Sequence, residues 1–204
     1  MLAWIRTLLI AAVCVSASSV RVVAQEPPKQ AVEKTVHEAL KILRDETLKG
    51  DRKVRVQKLR EVADRLFDWE AMAKSSLGTA WRTLNDTQRK DFVEVFKELL
   101  AQRYMDDIDR FQGSEELTVG EAEQQAELAV VKTTLLTVSK QKIPIDYTLR
   151  VAGGKWRAQD ISIENISLVN HYRKTFARYL SNKTIDQLLA QLKQKLGSGA
   201  GAGL

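Results

Sequence analysis

Nucleophiles, metal ligands and acid–base groups are sparse in this sequence. It carries two histidines, His37 and His171, and a single cysteine, Cys14. His37 is followed by Glu38, but no second histidine stands four residues after the first, so the helical zinc-protease pattern fails. Ser75–Ser76 lie just ahead of Gly78, where the end of a helix accounts for them. Gly197–Ser198–Gly199 lacks the strand–turn–helix context that lifts a nucleophilic serine out of a fold. Neither a phosphate-cradling glycine loop nor a dinucleotide fingerprint occurs. The sequence therefore reads as a non-enzyme with no catalytic residue, no metal ligand and no cofactor.

The cysteine belongs to an address rather than to a site. Arg6 precedes the apolar run Thr7–Val15, and small residues lead to Val22–Val23–Ala24, the layout of a secretory signal peptide over residues 1–24. The run is too short to span a bilayer of about 30 Å. Cleavage after Ala24 fits best and Ala17 is the alternative, because Arg21 lies close to the cut. Val13 stands before Cys14 where a lipidation signal wants Gly, Ala or Ser. Removal of residues 1–24 leaves 180 residues without cysteine, and the net charge falls from +6 to +4 as Arg6 and Arg21 leave. An exported chain of that size without disulfides relies on its apolar core.

Charge offers a second kind of chemistry. Lys49, Arg52, Lys53, Arg55, Lys58 and Arg60 have only Asp51 among them as counter-charge. Arg52, Lys53, Arg55 and Lys58 read as a docking surface for acidic headgroups or an acidic partner, or else as a solvated helix face. Asp106, Asp107 and Asp109 supply an opposite pole. Export, and the lack of an aromatic–basic module, argue against nucleic acid.

These residues sit on a legible framework. The 44% hydrophobic content and 28% charge are ordinary for a globular chain. Residues 27–111 read as helical: Val32, Val36, Leu40, Leu43 and Thr47 recur at helical spacing until Gly50. A second helix carries Val54, Leu59, Val62, Ala63 and Leu66. Asp68 caps a short helix from Trp69 to Leu77, closed by Gly78, and Asn85 with Gln88 forms a capping box for a helix reaching Phe111. Strands follow over residues 116–166, at Glu116–Val119, Glu127–Ser139, Lys142–Val151 and Lys155–Ile166. Ile143, Ile145, Tyr147, Leu149 and Val151 alternate strictly, and Ala152–Gly153–Gly154 turns the last two strands into a hairpin. Trp156 and the pair Ile161/Ile163 have opposite parity, which predicts a bulge between them. Two helices close the chain over residues 168–196, Leu168–Leu180 and Thr184–Leu196. Residues 197–204 read as a flexible Gly/Ala tail. Helices, then an antiparallel meander of about four strands, then helices make one α+β domain over residues 25–196, a curved sheet that forms a cone open at one end.

Several segments together resemble a known family. They are Phe67–Asp68–Trp69–Glu70–Ala71–Met72–Ala73 with Leu77–Gly78 and Trp81; Gln88 to Leu100 running on to Tyr104; Ile143–Pro144–Ile145–Asp146–Tyr147 with Trp156; and Ile161 to Val169 followed by Tyr172–Arg173 and Phe176. As an ordered set they resemble MlaC, also called the toluene-tolerance auxiliary family, over nearly the whole chain after the signal. The resemblance implies an NTF2-like fold with an added helical part. It implies a periplasmic phospholipid carrier, with bound phospholipid as cargo. The implied partners are an inner-membrane MCE-domain/ABC transporter complex and an outer-membrane lipoprotein–porin complex, and the implied role is to keep outer-membrane lipid asymmetric.

A lipid carrier must shield two acyl chains of about sixteen carbons, which at about 0.8 kcal/mol per methylene represent roughly 25 kcal/mol of transfer free energy. The pocket expected from the sequence has Ile143, Ile145, Tyr147, Leu149, Ile161 and Ile163 on the sheet. Phe96, Leu100, Tyr104, Val169, Tyr172, Phe176 and Leu180 supply the helical walls. Each of these residues also suits an ordinary core. Arg173 is placed to meet a phosphate at the mouth, or to serve as a plain ion-pair partner. Two rivals remain at this stage: a cone enzyme using Asp146 or His171, and a lipid-free adaptor with a filled core.

Overall fold

The computed structural model describes residues 26–104, 110–111 and 113–198. The segment expected to be a signal peptide, Asp106, Asp107, Ile108 and Asp109, and the end of the expected tail lie outside them. Pro27 and Pro28 open α1, Pro28–Leu43, where a missing N–H costs nothing. The helix ends sooner than its periodicity predicts, because the Asp45 carboxylate accepts from the Thr47 N–H and sets up a 3₁₀ turn over Glu46–Leu48. Asp51 caps α2, Arg52–Leu66, and Asp68 caps α3, Trp69–Leu77, by accepting from Ala71 N–H at 3.0 Å. Gly78 ends α3 at φ 59°, in the left-handed half of backbone space that glycine enters without strain. The Asn85–Gln88 capping box is present in both directions and opens α4, Asp86–Arg103. Tyr104 caps that helix, so the expectation that it continues to Phe111 is corrected: Arg110 and Phe111 lie outside it.

The sheet is an antiparallel meander, β1 Glu116–Gln125, β2 Leu128–Leu136, β3 Lys142–Ala152, β4 Lys155–Ile163 and β5 Ile166–Ser167, paired in sequence order. The α+β class expected from the sequence stands, with one strand more than the four that alternation predicts. The fourth expected strand is interrupted at Glu164–Asn165, whose φ values of 51° and 65° make a two-residue hairpin turn, and β5 pairs back through Ile163↔Ile166. The first expected strand is longer than predicted. It crosses a bulge at Gly120–Glu121, two residues facing Lys132 alone, which breaks the alternation that would have revealed it. A side chain at Gly120 would press its Cβ to 3.1 Å from the Lys132 carbonyl oxygen. The bulge that parity predicts in β4 is at Gln159, since Thr148 pairs with Asp160 and Leu149 with Ala158.

Two helices follow, α5 Leu168–Leu180 and α6 Ile185–Ser198, the latter running two residues beyond the predicted end at Leu196. Two apolar clusters hold the layers together. In one, α3, α4, α5 and α6 bury Met72, Phe92, Phe96, Leu99, Phe176, Leu188 and Leu192. The rings of Phe96 and Tyr172 meet edge to face at 5.5 Å within it, as do those of Phe92 and Phe176. In the other, Val32 and Val36 of α1 and Leu66 of α2 cover Ala129, Val131, Leu149, Trp156 and Ala158 on the sheet. Phe67 and Ile161 touch both clusters. The chain at Phe67–Asp68 also lies along β4, with Asp68 N–H donating to the Ala158 carbonyl at 2.8 Å.

Candidate functional site

One face of the sheet is largely apolar, interrupted by Thr133 and Gln124, because paired residues of like parity stack across the strands. Leu135 opposes Ile143, Val131 opposes Tyr147, Ala129 opposes Leu149, and Ile145 opposes Ile163. α1 covers one end of that face. At the other end a cavity of about 1090 Å³ opens between the sheet, the end of α4 and the start of α5. Leu135, Ile143, Ile145 and Ile163 form its sheet wall; Tyr104, Phe111, Leu168 and Tyr172 form the facing wall. The volume is at the upper end of the range usual for small-molecule sites. Two other hollows, about 800 Å³ between α1 and β1 and about 520 Å³ beside Tyr179 and α6, are smaller and lined largely by polar side chains.

Specific contacts position the walls. The extra residue at Gln159 restores Ile161 and Ile163 to the face that carries Trp156 and Ala158; without it, both isoleucines would point away from the cavity. Gln159 itself donates to the Asp68 carboxylate at 3.2 Å, tying the bulge to the cap of α3. Asp160 accepts from the backbone N–H of Val169 and from the Ser167 hydroxyl, so β4 and the first turn of α5 are joined directly. Arg44 at the end of α1 donates to the carbonyls of Gly113 (3.0 Å) and Glu115 (2.6 Å), which fixes the segment leading from Phe111 into β1.

Polar groups gather at the rim: Arg103, Arg110, Glu164, His171, Thr137, Ser139 and Gln141. The guanidinium of Arg103 lies over the Tyr104 ring at 5.5 Å. Burial, reinforced by Tyr104, pushes the Tyr172 phenol up to about 12, with Arg103 pulling the other way. The cavity thus presents a largely apolar and aromatic inner wall, with Glu115 the one buried charged side chain among its described residues, below a charged edge. Among the described residues the exposed large hydrophobic side chains are Val54, Leu128, Val138 and Ile166, and the last two, 43% and 61% exposed, border this cavity.

The residues singled out from the sequence divide into three groups. Tyr104, Ile145, Ile163 and Tyr172 line the cavity. Phe96, Leu100, Val169 and Phe176 are buried in the helical cluster, and Leu180 packs against it. Tyr147 and Leu149 lie on the same sheet face but beneath α1, in the second cluster, where burial pushes the Tyr147 phenol up to about 12. Arg173 is away from the mouth: its Nε donates to the Ser75 carbonyl at 2.7 Å, near the end of α3. Of the basic residues on α2, Arg52, Lys53 and Lys58 are exposed, whereas Arg55 is buried. Arg55 therefore drops out of the expected docking face, its long apolar stem being packed rather than displayed. Lys49 pairs with Glu46 and Arg60 with Glu98, further diluting the positive run.

Neither group proposed for a cone enzyme is buried in the cavity. Asp146 is on the opposite face of β3, paired in register with Lys132. His171 borders the rim and is exposed, with its ring edge-on to Tyr172 at 5.3 Å. The buried carboxylate of the site is Glu115, whose Oε2 accepts from the Gly113 N–H at 2.9 Å. No group of three or more potential metal ligands occurs among the described residues.

A family model, that of the MlaC protein, matches residues 33–194. The chain belongs to the MlaC family. A structural relative supports the same fold: a phospholipid-binding protein from Ralstonia solanacearum, solved in complex with a phospholipid, superposes with a TM-score of 0.76 at 20% identity, covering 86% of this chain and 99% of that one. A comparison with curated proteins returns no match. The MlaC match spans every element from within α1 to within α6, so it includes both walls of the cavity.

Sequence reasoning placed Ile143 on the pocket wall, where it lies, but missed Leu135, Leu168, Val138, Ile166 and Glu115 as site residues. For Leu135 a signal existed: it continues the alternation of Val131 and Thr133 toward the open end. Which end of an apolar face is covered depends on where α1 packs, and periodicity within one strand carries no such information.

Proposed function

We propose that this chain is a periplasmic phospholipid carrier that houses acyl chains in the cavity between the open end of the sheet and α5, leaving the headgroup at the charged rim. The observation that carries the reading is the cavity itself, an apolar hollow of about 1090 Å³ with exposed aliphatic edges, in a chain of the MlaC family. That the Ralstonia relative of the same fold was solved with phospholipid supports it. In this reading Tyr104, Ile145, Ile163 and Tyr172 touch the acyl chains directly. Phe96, Leu100, Val169, Phe176 and Leu180 back the helical wall, and Tyr147 and Leu149 limit the depth under α1. A buried acyl region makes release into water very slow, so handover needs partners that offer a continuous apolar path.

The partners proposed are an inner-membrane MCE-domain/ABC transporter complex and an outer-membrane lipoprotein–porin complex, with residues 1–24 as the export signal. Among the described residues, no helix is long and apolar enough to cross a membrane. Arg52, Lys53 and Lys58 are exposed on α2, and in this reading that face meets an acidic partner. The carrier function is tested by transfer of a fluorescent phospholipid between donor and acceptor vesicles that carry the two partner complexes, separated by a membrane that passes protein but not vesicles. Transfer that rises in proportion to added protein is expected; transfer no faster than without protein would refute it.

A further inference from the structure

The positive charge of the chain is concentrated near its end. Residues 165–204 hold six Lys and Arg against one acid, Asp186, so nearly all of the net charge of +6 comes from the stretch that builds α5 and α6. α5 itself has no Asp or Glu. Its apolar side, Leu168, Val169, Tyr172 and Phe176, is buried in the helical cluster. The opposite side puts exposed His171, Lys174 and Arg178 in one row, at the i, i+3 and i+7 spacing that aligns side chains along a helix, and exposed Lys183 follows just past the helix end. The row runs about 10 Å from His171 to Arg178, and it starts at the cavity, since His171 borders the rim.

Nothing on the neighbouring elements neutralises this row. Among the described residues, Lys174, Arg178 and Lys183 make no ion pair. Asp160 is taken by the Val169 N–H and the Ser167 hydroxyl, Asp186 accepts from Gln88 Nε2 at 2.7 Å, and Asp91 of α4 pairs with Lys193. Glu70 of α3 is exposed, and so is Lys74 four residues on. Glu164 stands in the turn before β5, at the mouth rather than along α5. Other basic regions are mixed: α2 interleaves Glu61 and Asp64 with its cations, and the mouth sets Glu115 and Glu164 against Arg103 and Arg110. The α5 row alone has one sign.

The chemistry of that row selects a protein over a bilayer. A helix that lies in a membrane interface turns its apolar side outward, whereas α5 keeps that side in the core and shows Asn170, Ala177 and Ser181 between its cations. No exposed large hydrophobic side chain is on α5. A single line of cations matches a line of carboxylates on a helix or strand better than the plane of a bilayer. Contact through charge without an apolar patch also gives fast encounter and easy release, which suits a carrier that docks and leaves.

We propose that the exposed face of α5, through Lys174 and Arg178, is a docking strip for a protein partner that presents a row of carboxylates, and that it seats this partner beside the cavity mouth. A partner gripping α5 leaves the opening itself clear, so the apolar path for handover lies next to the contact rather than under it. The purpose of the strip rests on the carrier reading, but the contact needs no cargo and is measured apart from it.

The experiment is biolayer interferometry of the processed protein, as recovered from cells, against each of the two membrane complexes proposed above, held in phosphatidylcholine nanodiscs so that the lipid supplies no net charge. Empty nanodiscs of phosphatidylcholine and of phosphatidylglycerol are the lipid controls. Binding to at least one complex is expected, weakening about fivefold or more between about 50 mM and about 300 mM salt. K174E/R178E should weaken it by about tenfold or more, and K174Q/R178Q by less, because reversal adds repulsion to the lost attraction. R150E/K155E makes the same change in net charge at the hairpin end of β3 and β4, the end away from Ile143 and Ile163, and should leave binding within about twofold. Binding to neither complex overturns the proposal, as does equal binding by K174E/R178E and the unaltered chain. An equal loss in R150E/K155E overturns it in favour of net charge alone, and equal binding to empty phosphatidylglycerol discs overturns it in favour of a lipid surface. Phospholipid extracted from a native chain that docks on neither complex would refute docking alone; a lipid-free chain that docks through α5 would refute the carrier reading alone.

Discussion

Asp160 on β4 accepts a hydrogen bond from the backbone N–H of Val169, in the first turn of α5, at 3.1 Å. The same carboxylate takes the Ser167 hydroxyl, while Ser167 caps α5 by accepting from Asn170 N–H at 3.0 Å. One side chain therefore joins the strand that carries Ile163 to the helix that carries Tyr172, the two walls of the cavity.

Replacing Asp160 should cost more than a surface acid. D160A leaves the Val169 N–H and the Ser167 hydroxyl without that partner, and a loss of about 1–3 kcal/mol is expected from charge-assisted bonds of this kind. Denaturant unfolding measures it. D160N, which keeps an acceptor oxygen, should recover part of the loss; equal destabilisation by both would show that the carboxylate charge, not the acceptor, matters.

A carboxylate placed in the cavity wall should empty it without unfolding the chain. Ile163 is only half-buried at the open end, so I163E is expected to keep the melting behaviour and lose most bound lipid. F176E and Y147E are different tests, since both side chains are buried in packed clusters and an unpaired charge there should unfold the protein. Lipid occupancy and circular dichroism together separate the two outcomes. R52E, far from the cavity lining, should change neither.

Alkali should unfold the protein through two tyrosines. Tyr147 and Tyr172 both have phenols raised from 10 to about 12, mainly by burial. The unfolded chain releases these protons first, so the stabilisation is whole below pH 10 and is lost as pH rises toward 12, on the order of 2 kcal/mol for each group. A titration of stability against pH reads this directly. Y147F should flatten the loss between pH 10 and 12, and an unchanged slope would contradict the burial of that hydroxyl.

Much of the fold was legible in short-range chemistry. Asp68, Gly78 and the Asn85–Gln88 pair announce helix ends because caps act over three or four residues, and the opposing parity of Trp156 and Ile163 announces the Gln159 bulge. The errors arose where a local feature hid the pattern: Asp45 stopping α1, Gly120 interrupting β1, Asn165 cutting off β5. The site was less legible. Tyr104, Ile145, Ile163 and Tyr172 look in sequence like Phe96 and Leu149, and what separates them is only whether a helix from elsewhere in the chain has packed over them.

The cap of α3 offers a check on how far the bulge is tied to the helices. Asp68 accepts both from Ala71 N–H and from Gln159 Nε2. D68A should lower stability by about 1 kcal/mol as a lost cap, whereas Q159A should cost less, since the bulge in the backbone remains. A larger loss for Q159A than for D68A in thermal unfolding would reverse that order.

The central claim is that the cavity between Ile163 and Tyr172 holds phospholipid. Native mass spectrometry of protein purified from cells without detergent, followed by solvent extraction and lipid identification, tests it most directly. A bound species of phospholipid mass, lost in I163E, is the result predicted; a native chain whose mass is that of the polypeptide alone, with no lipid in the extract, would contradict it.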